Sequence, residues 1–100
     1  MEDLINEALI EVSALMREEF LKNAPITLGS ALDQSGLENG AEIVIDYLQH
    51  GEAGVAYEHL LYMVKEPPLE ITDECFKLIA RAGQALGFEA SSWQALRVGS

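Results

Sequence analysis

One cysteine, two histidines and six lysines or arginines give this 100-residue chain little for thiolate or imidazole metal sites, disulfides or nucleic-acid surfaces. The lone Cys75 excludes an intramolecular disulfide and suits a reducing compartment. His50 and His59 lack the i, i+4 spacing of a helical zinc motif, and Cys75 has no C-x-x-C companion, so no metal and no cofactor are expected. Arg17, Lys22, Lys65, Lys77, Arg81 and Arg97 are scattered rather than clustered, so direct nucleic-acid binding is not expected. Long apolar runs are missing too: Ile43-Val44-Ile45 is broken at once by Asp46, so no membrane span is expected. The opening residues carry Glu2 and Asp3 where a secretory signal needs a basic region, and the expected location is the cytoplasm.

What is abundant is acid. Seventeen Asp and Glu residues give a net charge of −11 and a pI near 4.3. Such a field repels phosphate backbones and anionic lipid, and it speeds encounter with a basic partner. Yet 49% of the residues are apolar and 23% charged, the balance of a folded domain rather than a disordered one. The length fits one domain, taken as residues 1–100.

The apolar residues recur at three- and four-residue steps, which predicts an all-α fold, a compact bundle of five or six helices. In the first segment, about Glu2 to Lys22, the stripe is Leu4, Ile5, Ala8, Leu9, Val12, Leu15, Met16 and Phe20. Asp3, Glu7, Glu11 and Glu18 fall on another stripe, and Asn23-Ala24-Pro25 ends the helix. A short helical turn is expected around Ser30 to Gln34. The next helix starts near Leu37 or Gly40, carries Ala41, Val44, Ile45 and Leu48, and ends at His50-Gly51. Another runs from about Glu52 to Lys65, with Ala53, Ala56, Tyr57, Leu60, Leu61 and Val64 inward and Pro67-Pro68 beyond it. Thr72 reads as an N-cap followed by the acidic first turn Asp73-Glu74. Phe76, Ile79, Ala80, Gly83 and Leu86 continue that helix to a stop at Gly87. Ser91-Ser92-Trp93-Gln94 has the form of a capping box and predicts a short terminal helix holding Trp93 and Leu96. Val98-Gly99-Ser100 reads as a frayed tail or a vector-derived scar. Gly83, Gly87 and Trp93 are the residues expected to matter structurally, Trp93 as a lid on the core.

Catalysis is not expected. Glu58 and His59 are neighbours on a helix, so their side chains diverge. Gly51 and Gly54 are followed by no phosphate-binding lysine, and Cys75 beside Phe76 and Ile79 reads as a buried small hydrophobe. What remains is acid arranged with aromatics. Glu42, Asp46, Glu52, Glu58, Glu66 and Glu70 run through the central helices, with Tyr47 and Tyr62 off the main apolar faces. A tyrosine offers a rigid apolar body and a polar tip, a combination suited to a protein interface.

The stretch Asp46-Tyr-Leu-Gln-His-Gly-Glu52-Ala-Gly-Val-Ala-Tyr-Glu58-His-Leu60 resembles the core of small bacterial immunity proteins of the Maf type. These belong to polymorphic-toxin and contact-dependent growth-inhibition systems. Ile71-Thr72, Phe76, Ile79, Gly83, Leu86-Gly87 and Trp93-Gln-Ala-Leu96 resemble the second half of the same family. The likeness covers about the C-terminal 60 residues, and the order and spacing of its short motifs carry it. It implies a small helical protein that binds and neutralises the C-terminal domain of a cognate toxin, a basic nuclease acting on RNA or DNA, in the producing cell. Asp46, Glu52, Glu58 and Trp93 occupy matching positions. Partner contacts are therefore expected from Glu42, Asp46, Tyr47, Glu52, Glu58, Tyr62 and Glu66. The alternative is an acidic adaptor or chaperone-like module that grips a basic segment through the same surface.

Overall fold

A 21-residue helix, α1 (Glu2–Lys22), begins with Glu2 and Asp3 in its first turn and ends with Lys22 in its last, the polarity the helix dipole favours. Its inward stripe is Ile5, Ala8, Leu9, Val12 and Met16, as the spacing predicts. The Asn23 amide closes the helix by donating to the Glu19 carbonyl at 2.7 Å. The computed structural model describes residues 2–23, 39–66 and 69–99. The turn expected at Ser30 to Gln34 and the Pro67-Pro68 pair lie outside those residues.

Two helices form an antiparallel hairpin beside α1: α2 (Gly40–Gln49) and α3 (Ala53–Lys65). The β-branched run Ile43-Val44-Ile45 is helical within α2, because Val44 and Leu48 share a buried face one turn apart. Gly51, at φ 73°, turns the chain out of α2. α3 supplies much of the core with Ala56, Tyr57, Leu60, Leu61, Met63 and Val64. α4 (Asp73–Leu86) then packs on α1, placing Cys75, Ile79, Ala82 and Gly83 inward. Its Thr72 cap is real: the Thr72 hydroxyl accepts the Cys75 N–H at 3.2 Å.

The structure corrects the helix count. Among the described residues there are four α-helices, not five or six. In place of the expected terminal helix there is a single 3-10 turn, Ala90–Ser92, with no side-chain cap bond. Ser91 lies inside that turn rather than ahead of a helix, so the Ser91–Gln94 capping box does not form. A sequence of four residues with the right letters cannot propagate a helix that nothing downstream continues. The supposed frayed tail is also corrected. Arg97–Val98 forms a strand, β2, that pairs in parallel with β1 (Glu70–Ile71), with Glu70 opposite Arg97 and Ile71 opposite Val98. The Gly99 N–H adds a bond to the Ile71 carbonyl at 2.9 Å. These two-residue strands carry no apolar alternation, so nothing in the local sequence announces them.

All four helices and the segments after them feed one core. Trp93 is buried at 5% exposure, as a lid residue should be. At Gly83 the packing leaves no room for a side chain: a Cβ there would collide with the Trp93 ring and the Tyr57 hydroxyl. That hydroxyl donates to the Ile79 carbonyl at 2.7 Å, and burial pushes its pKa up to about 12. Glu11 of α1 reaches across to α4. Its carboxylate accepts the Thr72 N–H at 2.7 Å and the Thr72 hydroxyl at 2.6 Å. Cys75 sits below this clamp, its Sγ directed at the Ala8 carbonyl at 3.8 Å. Burial first, then the Glu11 carboxylate, pushes the thiol up to about 12.

Candidate partner-binding surface

The seven residues expected to touch a partner divide between two places. Glu58, Tyr62 and Glu66 lie on α3 and its C-terminal cap at i, i+4 and i+8, so they form one stripe. That stripe is one wall of an open groove of about 350 Å³ whose lining also includes Leu61, Lys65, Phe88 and Ser92. Glu58 and Glu66 are exposed at its rim and Tyr62 is half-buried.

Phe88, which also lines this groove, is placed by the end of α4. Gly87 takes φ 84°, a left-handed conformation that costs glycine nothing. The Phe88 N–H then bonds the Gly83 carbonyl at 2.9 Å and the Gly87 N–H bonds the Gln84 carbonyl at 3.1 Å, the paired closure of a Schellman cap. The turn lays the Phe88 ring against Tyr57, with centroids 4.9 Å apart, and leaves it half-buried. Gly87 thus does more than stop a helix, which is all that the sequence predicts of it. Phe88, Ser92 and Leu61 belong to the surface without having been expected there. The available signal was an apolar residue directly after a helix-ending glycine, the position that usually folds back on the helix.

The second place is the corner between α2 and α3. The His50 ring donates through Nδ1 to the Asp46 carbonyl at 2.7 Å, with the Asp46 carboxylate 3.5 Å away. The backbone bond, then the Asp46 charge, then Glu52, raise the His50 pKa above 6.5. Glu52 donates its N–H to the Tyr47 carbonyl at 2.9 Å, which fixes the corner. Glu42 is exposed in the first turn of α2, one turn before Asp46, and Tyr47 is half-buried against the core.

The chain matches no family model, no curated protein and no solved structure. The reading of this surface rests on its own chemistry. Five carboxylates, those of Glu42, Asp46, Glu52, Glu58 and Glu66, are exposed, and among the described residues only Asp46 has an ion-pair partner, His50. Unneutralised carboxylates beside half-buried tyrosines can receive cations and aromatic-stacking groups. Among the described residues no group of three or more His, Cys, Asp or Glu is placed to hold a metal ion, and no helix is long and apolar enough to cross a membrane. A further recess, lined by Met16, Arg17, Phe20, Ala41 and Met63, has no carboxylate among the described residues of its lining.

Proposed function

We propose that this chain binds and neutralises a basic protein, the C-terminal domain of a cognate bacterial toxin of nuclease type, as the resemblance to Maf-type immunity proteins implies. The observation that carries the reading is the set of exposed acids on α2, α3 and their corner, of which, among the described residues, only Asp46 is ion-paired. Nucleases that grip phosphate backbones present cationic surfaces. A surface of opposite sign finds such a target quickly and competes with its substrate for the same cations. No catalytic step is assigned to the chain: inhibition by occupancy needs affinity and geometry only.

The test is to look beside this gene for one encoding a large secreted protein and to co-express that protein's C-terminal domain with this chain. A domain that stops growth alone and is tolerated with this chain, together with a stoichiometric complex on gel filtration, supports the inhibitor reading. Growth arrest that persists despite a soluble complex would favour the adaptor or chaperone-like reading. Absence of any complex would overturn both.

A further inference from the structure

The groove between α3 and the Phe88–Ser92 segment has a composition more specific than acidity. Two aromatic residues, Tyr62 and Phe88, line it together with Leu61, and the exposed Glu58 and Glu66 line it as well. By helix geometry each glutamate lies about 6 Å along the axis from Tyr62, on either side of it. A glutamate side chain spans that distance. An apolar slot with acids at both ends discriminates among cations. Ammonium ions are compact and strongly hydrated, so they lose water on entering and gain little from the aromatic walls. Guanidinium is planar, weakly hydrated, stacks on aromatic faces and offers its edges to carboxylates.

We propose that this groove is the anchor point for an arginine of the partner, its guanidinium between Tyr62 and Phe88 with Glu58 and Glu66 accepting at its edges. The proposal rests on the inhibitor reading for the identity of the partner, but the chemistry of the groove stands apart from it. Lys65 is the one cation among the described residues that line the groove. Its ammonium opposes an incoming guanidinium, so the proposal makes an unusual demand: removing that charge should tighten binding.

The experiment titrates the full chain with three acetylated, amidated tripeptides, Gly-Arg-Gly, Gly-Lys-Gly and Gly-citrulline-Gly, followed by amide and aromatic NMR shifts. The arginine peptide should perturb Glu58, Tyr62, Glu66, Phe88 and Ser92 in a saturable way. The lysine peptide should bind roughly two- to fivefold more weakly, and uncharged citrulline more weakly still. Glu58→Gln with Glu66→Gln should abolish the saturable response, whereas Glu2→Gln with Glu7→Gln, an equal change of net charge on α1, should leave it intact. Lys65→Gln should strengthen it. All these residues are exposed, so the variants fold, and circular dichroism verifies it. Equal response to arginine and lysine, shifts spread over every acidic stretch, or equivalence of the two double variants would overturn the proposal. No toxin takes part, so the two readings fail separately. Loss of peptide selectivity removes the arginine anchor and leaves neutralisation to the co-expression experiment. Failed neutralisation with intact selectivity removes the inhibitor reading and leaves a guanidinium receptor.

Discussion

Gly83 is the residue at which a single added carbon has most to displace. Alanine normally stabilises a helix interior by about 1 kcal/mol relative to glycine. Here the new Cβ meets the Trp93 ring and a Tyr57 hydroxyl already held by the Ile79 carbonyl, and neither can swing away. Overpacking of this kind costs about 1–3 kcal/mol, so the clash outweighs the propensity gain. Gly83→Ala should therefore lower the thermal midpoint, and a midpoint that rises would show that the ring moves freely. His50 offers a prediction in pH. Its folded pKa is raised above 6.5 by the Asp46 carbonyl, then the Asp46 carboxylate, then Glu52. Its stabilising contribution is therefore fully present below pH 6.5 and is lost as pH rises through the folded pKa. An NMR titration should place the His50 midpoint above 6.5, and Asp46→Asn should lower it. Cys75, buried with its thiol pushed up to about 12, should react with a maleimide only as fast as the protein opens.

At the scale of elements, the Glu11–Thr72 clamp joins the middle of α1 to the start of α4. It supplies acceptors for two donors and places a carboxylate where the positive end of the α4 dipole lies. The clamp is open to solvent, so each side should cost about 1 kcal/mol when removed. Glu11→Ala and Thr72→Ala should give a combined loss smaller than the sum of the single losses, measured by urea denaturation. Strict additivity would mean that the two residues act independently. The contrast with other features shows what a sequence can disclose. Thr72 as a cap and Gly87 as a stop are legible because their physics is local: a hydroxyl three residues before a bare N–H, a residue without a Cβ where φ must be positive. The boundaries of α1, α2, α3 and α4 follow from such signals and from apolar spacing. Glu11 was legible only as part of an acid stripe, since its partner lies 61 residues away. The β1–β2 pair was hidden for the same reason, whereas the fold-back of Phe88 has a local signal in Gly87 that does not disclose the groove it lines. In the candidate surface, the acids and tyrosines of α3 could be picked out, but the groove they line could not.

Across the whole molecule, charge outweighs every other feature of the surface. If the exposed acids of α2 and α3 meet a basic partner, association should weaken as salt rises, because the attraction acts over distances comparable to the screening length. Asp46→Lys and Glu52→Lys should slow association and leave helical content unchanged, with Glu7→Lys on α1 as the control. Rates measured by surface plasmon resonance at two ionic strengths separate the cases. Equal damage from Glu7→Lys would mean that net charge alone steers the encounter.

The pairing of β1 with β2 has a further consequence, for the order in which the chain becomes a folded protein. The α2–α3 hairpin joins sequence neighbours and can form as soon as both helices exist. By contrast α1 finds its main partner only when Asp73–Leu86 has been synthesised, and Ile71 meets Val98 only when Arg97–Val98 is in place. Such distant pairings close slowly. During synthesis the apolar stripe of α1 must therefore wait for its α4 cover, and the Glu11 clamp closes only once Thr72 has been added. A nascent chain stalled before residue 73 should be readily proteolysed within α1, and one extended past residue 99 should resist.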